Sequence, residues 1–206
     1  MIRTFSFSEA GGHPDSEDAF LVRRLAGEPE GWLVCVADGQ GGRAGGDRAA
    51  RLACDTVAGF SELRTLTRAF LRADAAVAGD EAAGLTTLAG FIVEGDSLRG
   101  ASSGDSAVLA VSGSGELLEL TAKQFKDPPV GSGDAVFAPF EAELVRPWKV
   151  LAMTDGVWKY AGWSRVRDLA TTLRGEELLA ALKAAARLQR TGQFQDDFTA
   201  VLVEAD

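Results

Sequence analysis

The amino-acid sequence predicts an α+β protein in which helices pack on antiparallel β-sheets. Strand-like segments and helix-like segments are grouped along the chain instead of alternating, which is typical of this class. The strands in the middle of the chain are joined by short turns that contain Gly or Asp, and such turns permit only antiparallel neighbours. The 206 residues are 46% hydrophobic and 25% charged, the balance of a globular domain. With no repeat or long linker in the sequence, we expect one domain over residues 1–206.

The first half of the chain predicts three strands followed by two helices. Period-two alternation and short apolar runs, separated by glycine and proline turn signals, predict strands over 2–6, 19–22 and 31–37. After a glycine-rich stretch, apolar residues recur at helical spacing and predict helices over 47–60 and 61–78. Ser61 is the expected N-cap of the second helix.

The second half predicts a group of strands, a loop, and then mixed elements. Four closely spaced strands, which we expect to form an antiparallel meander, are predicted over 86–93, 97–103, 106–111 and 116–120. The polar segment 121–140, rich in proline and glycine, is predicted to be a loop. Strands over 141–145, 149–153 and 198–203, and an Ala- and Leu-rich helix over 176–188, complete the prediction.

Composition excludes several classes of function. The net charge of −9 argues against nucleic acid as the main ligand, because a phosphate-binding face must be basic. His13 is the single histidine, which excludes the histidine clusters of zinc hydrolases. Cys35 and Cys54 lie in apolar stretches and predict free buried thiols in a reducing compartment. No apolar run approaches the roughly 20 residues that span a bilayer, and the first nine residues do not resemble a secretion signal. We therefore expect a cytoplasmic protein that binds no membrane.

Five short segments carry acidic residues at the end of an apolar strand or in the adjoining turn. Their acidic residues are Glu17 and Asp18, Asp38, Asp105, Asp155, and Asp196 with Asp197. Each Asp-Gly pair alone equally fits an ordinary turn. Together, carboxylates held at strand ends can converge on one rim, where they repel one another unless they share protons or bind cations. Oxygen ligands without His or Cys select Mg²⁺ or Mn²⁺, and two such ions about 4 Å apart activate water for attack on a phosphoryl group.

In order and spacing, these segments resemble the motifs of the metal-dependent serine/threonine protein phosphatases of type 2C, over about residues 3–204. The resemblance implies a central sandwich of two antiparallel β-sheets flanked by helices on both sides. It implies hydrolysis of phosphoserine and phosphothreonine on proteins by direct attack of a metal-bridging hydroxide. The cofactors would be two Mn²⁺ or Mg²⁺ ions with a weak third. The partner would be a phosphorylated protein, and the compact chain looks like monomeric bacterial members that oppose a Ser/Thr kinase in signalling.

The resemblance also implies which residues hold the ions. Asp38 would bridge the two metal ions. Glu17 and the backbone carbonyl of Gly39 would complete one metal site, and Asp155 with Asp196 would bind the other ion.

Asp18 would orient the water molecules around the ions, and Asp105 matches the position of the third ion in the family. Three positions depart from the family pattern, and one of them is Gln40, which stands where some relatives carry a histidine proposed as general acid. His13 stands where an arginine usually grips the substrate phosphate, so Asp18, Asp38 and His13 are the candidate catalytic residues. The alternatives at this position are a plain turn histidine, or Arg43 as the phosphate clamp. Lys159 stands where many members place another aspartate for the third ion, and a cation there would oppose metal binding or tether a phosphate itself.

Two other functions remain open at this stage. The departures at His13 and Lys159 also fit a weak or inactive relative that binds a phosphoprotein as a regulatory module. A phosphatase of small-molecule phosphates would use the same site.

Overall fold

The computed structural model describes residues 1–12, 15–41, 44–59 and 66–206. Within these residues the strands, in chain order, are β1 (Ile2–Glu9), β2 (Asp18–Leu25), β3 (Gly31–Asp38), β4 (Leu88–Glu94), β5 (Ser97–Ser103), β6 (Ala107–Val111), β7 (Leu117–Glu119), β8 (Ala138–Glu143), β9 (Trp148–Met153) and β10 (Phe198–Ala205). The helices are α1 (Gly46–Ala58), α2 (Leu66–Ala78), α3 (Asp155–Ala161), α4 (Trp163–Thr172) and α5 (Gly175–Ala186).

The strands form two five-stranded sheets. The first sheet has the order β1-β10-β9-β6-β7, and the second has the order β2-β3-β4-β5-β8. All the strand pairs within these sheets are antiparallel. Strands and helices together make an α+β protein, as the sequence predicted.

Three apolar clusters define the layers of the molecule. Between the sheets, Phe91 of the second sheet and Trp148 of the first belong to one fully buried cluster. On the outer face of the second sheet, Phe70 of α2 packs in a cluster with Leu33 of β3. On the outer face of the first sheet, α3, α4 and α5 cover a cluster that includes Phe198. The sheets therefore form a sandwich with helices on both sides, which is the arrangement that the resemblance implied.

The central strands read as continuous apolar runs because both of their faces are covered. All eight residues of β10 and all six of β9 are buried, whereas the edge strand β8 alternates between partly buried and exposed residues. A strand between a helix layer and a second sheet has no solvent face, so it has no reason to alternate. The predicted thiols fit this core: Cys35 and Cys54 are free and buried. No described helix is long and apolar enough to cross a membrane.

The predicted meander is wrong at its centre. Strands β4 and β5 pair with each other, and β6 pairs with β7, but β5 lies in the second sheet and β6 in the first. The chain changes sheets at Gly104, which has a φ of +111° and is so close to Thr87 that an added Cβ would lie 2.6 Å from its side chain. Only glycine accepts this turn without strain. The crossing leaves Asp105 between the ends of the two sheets.

The sequence analysis also missed two helices and one strand start. Helix α3 has seven residues, too few for a helical period, and it begins at an Asp-Gly pair that reads as a turn. Helix α4 follows it after a single glycine. The predicted loop ends earlier than expected, since β8 begins at Ala138. Ser61 lies outside the described residues, and α2 is described from Leu66 onward.

Candidate functional site

A cavity of about 420 Å³ lies where the ends of the two sheets meet. Acidic residues from segments far apart in the sequence line it: Glu17, Asp38, Asp105, Asp127, Asp155, Asp196 and Asp197. Backbone glycines, including Gly39 and Gly41, form another part of its wall. The cavity therefore has a strongly anionic lining that the fold assembles from separate strand ends.

Asp38 lies at the end of β3, where two threonine hydroxyl groups form hydrogen bonds with its backbone. Its amide donates to Thr87 Oγ1, and its carbonyl oxygen accepts from Thr86 Oγ1, both at 2.9 Å. Asp38 is also the Cα partner of Asp18 across β2 and β3. These contacts fix the backbone from which the Asp38 carboxyl enters the cavity.

Glu17 lies against the glycine-rich segment that precedes α1. A Cβ added to Gly41 would lie 3.3 Å from Glu17 Oε2, and one added to Gly46 would lie 3.1 Å from Oε1. The amide of Gly39 donates to the Glu17 carbonyl at 3.1 Å, and a Cβ on Gly39 would lie 2.4 Å from the backbone of Gly46. The absence of side chains lets this backbone wrap closely around the Glu17 carboxyl.

Asp155 and Asp196 meet because β9 and β10 are antiparallel neighbours. Asp155 begins α3 two residues after β9 ends, and Asp196 lies two residues before β10 begins. The end of β9 lies beside the start of β10, where Met153 is the Cα partner of Ala200. Helix α3 approaches this point so closely that a Cβ on Gly156 would lie 1.9 Å from the Asp197 carbonyl oxygen.

Asp18 lies behind the cavity and is only 8% exposed. Thr154 Oγ1 donates to Asp18 Oδ2 at 2.8 Å, while Oδ1 is buried without a hydrogen-bond partner. Burial raises the pKa of Asp18, and the charges of Asp197 and Asp155 raise it further, against the hydrogen bonds from threonines. An unsatisfied carboxylate oxygen at this depth is costly unless a ligand or a water molecule contacts it.

Burial and neighbouring carboxylates raise the pKa values of Asp38 and Asp155 in the same way. Burial is the largest cause that raises the pKa of Asp38, followed by the charges of Asp18 and Asp155. The pKa of Asp155 is raised by burial and then by Asp105, whereas Lys159 lowers it. The cluster therefore holds more negative charge than its protein surroundings balance.

The donor set suits a hard divalent cation. Among the described residues, no three Asp, Glu, His or Cys side chains form a group compact enough to hold a metal ion as they stand. The cavity that the carboxylates share, the raised pKa values of Asp18, Asp38 and Asp155, and the buried oxygen of Asp18 are nevertheless features that bound Mg²⁺ or Mn²⁺ would relieve. We conclude that these residues fit such ions.

The structure brings most of the residues predicted to form the site to one cavity. Five predicted ligands and the predicted third-ion residue line one cavity: Glu17, Asp38, Gly39, Asp155, Asp196 and Asp105. Asp18 is buried beside them. His13 and Arg43 lie outside the described residues.

The sequence analysis assigned no role to two residues of the site. Asp197 accepts hydrogen bonds from the amides of Gly11 (2.7 Å) and Glu17 (2.5 Å), and so links the segment before β2 to the start of β10. Its position in the Asp196-Asp197 pair was a signal for this role. Lys126 lines the cavity and pairs with Asp105, but the polar loop that contains it gave no such signal.

Neither a protein-family model nor a curated protein sequence matches the chain. Solved structures match its fold over the full length. RsbX in complex with magnesium superposes with a TM-score of 0.81 at 17% identity, covering 100% of this chain and 96% of that chain. PppA, described as a key regulatory component of T6SS in Pseudomonas aeruginosa, has a TM-score of 0.77 at 24% identity, with coverage of 100% and 98%.

The catalytic domain of the serine/threonine protein phosphatase PstP, in complex with two manganese ions, has a TM-score of 0.78 at 22% identity. It covers 98% of this chain and 97% of that chain. The structural neighbours are bacterial type 2C serine/threonine phosphatases. The chain therefore has the type 2C phosphatase fold, and the fold that the resemblance implied is confirmed.

Proposed function

We propose that this chain is a metal-dependent phosphatase that hydrolyses phosphoserine and phosphothreonine on proteins. The observation that carries the proposal is the acidic cavity, which Asp38, Asp155 and Asp196 all line although they come from three separate parts of the chain. A cluster of oxygen donors without histidine or cysteine is the site that phosphoryl-transfer enzymes use for Mg²⁺ or Mn²⁺. The fold shared with type 2C phosphatases supports the same conclusion.

In this proposal Glu17, Asp38, the Gly39 carbonyl, Asp155 and Asp196 would together hold two divalent ions. Bound at this place, the ions would supply Lewis acidity toward the phosphoryl oxygens and a nucleophile from water at neutral pH. The neighbours solved with magnesium and with two manganese ions support either metal as the cofactor.

Side chains of the protein would position the attacking water molecule and the substrate. Asp18 Oδ2 is held by Thr154, which leaves the buried Oδ1 to accept a hydrogen bond from a water molecule and so to orient it. His13 would contact the substrate phosphate. We further propose that residues 1–206 act as a single monomeric domain in the cytoplasm, on a phosphoprotein produced by a Ser/Thr kinase.

A regulatory phosphoprotein-binding module is the second candidate. It is favoured by Lys159, whose Nζ lies 3.4 Å from Asp155 Oδ2 and 3.6 Å from Asp196 Oδ2. An ammonium group between two ligands competes with a divalent ion, and a weakly loaded site would bind a phosphate without turning it over. The similar fold of PppA, described as a regulatory component, is compatible with this candidate.

The test is hydrolysis of phosphoserine and phosphothreonine peptides across a series of Mn²⁺ and Mg²⁺ concentrations. We expect activity that depends on the metal, is abolished by a chelator, and falls by at least about 10²-fold in Asp155→Ala. Asp168→Ala removes an exposed aspartate of α4 and serves as the control that should keep full activity.

Three results would contradict the proposal in different ways. Hydrolysis that is absent with every divalent ion would exclude a phosphatase. Metal binding by calorimetry without turnover of any phosphopeptide would favour the regulatory module. Turnover of small phosphate esters without turnover of phosphopeptides would assign the site to small-molecule substrates.

A further inference from the structure

Helix α2 carries a buried acidic residue, Asp74, that does not line the acidic cavity. The residue is only 2% exposed. Phe70 and Val77, one helical turn before and after it, are buried on the same face of the helix. A carboxylate in such apolar surroundings is costly unless hydrogen bonds satisfy its oxygens. Asp74 therefore needs hydrogen-bond donors that come from outside its own helix.

Three backbone amides of one loop supply these hydrogen bonds. The amides of Gly131 and Gly133 donate to Asp74 Oδ1 at 2.7 and 3.2 Å, and the amide of Ala135 donates to Oδ2 at 3.2 Å. The loop lies tightly against the helix here, because a Cβ added to Gly131 would lie 2.7 Å from Val77 Cγ1. One carboxylate thus fixes three alternate residues of the loop to α2.

This loop segment is joined to the cavity through Thr86. The Thr86 amide donates to the Val130 carbonyl at 3.0 Å, and the Val130 amide donates to the Thr86 carbonyl at 3.2 Å. Thr86 itself lines the cavity, and its hydroxyl donates to the Asp38 carbonyl. Residues 129–135 are therefore held between helix α2 and the end of the sheet that carries Asp38.

A part of the cavity wall lies between this attachment and a second one. Lys126, Asp127 and Pro129 line the cavity. Just before them, the Phe125 carbonyl accepts a hydrogen bond from the Gly104 amide at 2.7 Å, which fastens the loop to the crossing between β5 and β6. The three lining residues belong to no helix or strand, so their positions depend on the two attachments.

We propose that Asp74 is a positioning residue for substrate binding: by fixing residues 129–135 to α2, its carboxylate holds the cavity wall over residues 126–129 in place for a phosphopeptide. The inference rests on the proposed function and adds to it a residue outside the cavity. Asp74 acts through the loop and contacts neither the substrate nor the ions.

The first measurement is amide hydrogen exchange of the metal-free protein, followed by mass spectrometry of peptides that cover residues 126–137. We expect these peptides to exchange at least about tenfold faster in Asp74→Ala than in the wild type, because three amides lose their acceptor. The buried strands β9 and β10 should remain protected long after the loop has exchanged. Asp55→Ala removes an exposed helical aspartate of α1 and is the matched control, with wild-type exchange in the loop.

The second measurement compares KM with kcat for a phosphoserine peptide and for p-nitrophenyl phosphate at saturating Mn²⁺. For the peptide, Asp74→Ala should raise KM at least about fivefold and leave kcat within about twofold, because a loosened wall weakens substrate binding while Asp38 and Asp155 stay on β3 and α3. For the small ester, which lacks peptide on either side of the phosphate, both constants should stay within about twofold. Asp74→Asn keeps one oxygen as an acceptor for the loop and should give intermediate values in both measurements.

Exchange and KM values in a folded Asp74→Ala that match those of Asp55→Ala would overturn the inference and leave the phosphatase proposal intact. Equal changes in kcat and KM for both substrates would also overturn it, since Asp74 would then support the fold in general. If the wild type turns over neither substrate with any divalent ion, the proposed function fails together with the role in substrate binding, and hydrogen exchange alone decides whether Asp74 fixes the loop. If circular dichroism shows that Asp74→Ala is unfolded, Asp74→Asn decides by the same two measurements.

Discussion

Asp38 shows how a single side chain of the site opposes the stability of the fold. Burial raises the pKa of this carboxyl, and the charges of Asp18 and Asp155 raise it further. The folded, metal-free protein therefore binds this proton more tightly than the unfolded chain does. By linkage, the free energy of unfolding of the metal-free protein falls as the pH rises from near the ordinary aspartate value of 3.8 through the raised pKa.

We expect Asp38→Asn to stabilise the metal-free protein while it abolishes metal-dependent hydrolysis. The amide keeps the shape of the side chain but cannot ionise, so ionisation of this residue no longer favours the unfolded chain. In chelator at pH 8 the melting temperature should rise by a few degrees, since about 1 kcal/mol corresponds to about 2–4 °C for a chain of this size. The gain should shrink toward pH 4, where the carboxyl is protonated in the folded state and close to its ordinary pKa of 3.8 in the unfolded chain. Differential scanning calorimetry between pH 4 and pH 8 measures it, and a lower melting temperature at pH 8 than that of the wild type would contradict the prediction.

Gly156 is the second residue at which the site constrains the backbone. A Cβ there would lie 1.9 Å from the Asp197 carbonyl oxygen, so Gly156→Ala must push the start of α3 away from β10. We expect a loss of about 1–3 kcal/mol in stability, and a fall of up to about 10²-fold in kcat/KM because Asp155 moves with the helix. Urea unfolding and phosphopeptide kinetics measure the two effects. Gly59→Ala is the matched control, since its nearest neighbours would lie 3.6 Å away and its φ of −75° suits alanine.

At the scale of secondary-structure elements, a pair of buried charged residues joins the β9–β10 ladder to the α4–α5 junction. Glu204 and Lys149 are Cα partners on the two strands, and they are 1% and 6% exposed. Lys149 Nζ donates to the Leu173 carbonyl at 2.7 Å, just after α4, and Glu204 Oε2 accepts from the Gly175 amide at 3.1 Å, at the start of α5. These two charges hold the link between the helices against the outer face of the first sheet.

Glu204→Gln should therefore destabilise the protein by about 1–3 kcal/mol, because it removes the buried carboxylate charge that pairs with Arg3 at 2.9 Å and with Arg174 at 3.5 Å. The substitution preserves the size of the side chain, so lost packing contributes little. Glu116→Gln, at an exposed position, should change stability by less than about 0.5 kcal/mol. Urea denaturation of both variants gives the comparison, and equal stabilities would show that the pair does not hold this junction.

At the scale of the whole molecule, the two sheets share one apolar layer. Residues of β3 and β4 pack in the same cluster as residues of β6, β9 and β10, and the cavity draws its walls from both sheets. Neither sheet can bury its inner face without the other. The two sheets should accordingly unfold together, and ligands of the cavity should stabilise both.

We expect the metal-free protein to unfold in one two-state transition, with equal calorimetric and van't Hoff enthalpies. Mn²⁺ at about 100 times its dissociation constant should stabilise the folded state by about 2.7 kcal/mol per site and raise the melting temperature of that one transition. Scanning calorimetry with and without the ion measures both effects. Two transitions, or an ion effect on only one of them, would indicate two independent units and contradict the single domain.

The sequence by itself determined most of the individual elements, because their signals are local. Alternation over residues 2–6 and the apolar run over 31–37 predicted β1 and β3. Helical spacing predicted α1, and an Ala- and Leu-rich composition predicted α5, both close to their observed bounds. The acidic residues beside strand ends were also visible, since a carboxylate after an apolar run is a pattern of a few neighbouring residues.

Only the tertiary structure decided how these pieces meet. It assigned β5 and β6 to different sheets, set Asp18 opposite Asp38, and brought Lys126 to Asp105 from a loop with no sequence signal. Strand pairing and burial depend on contacts between segments far apart in the chain. A local pattern of apolar residues shows that a strand will be buried, but it does not show which strand will pair with it. For the same reason the charge balance of the cavity, on which its ions depend, emerges only when the two sheets are packed together.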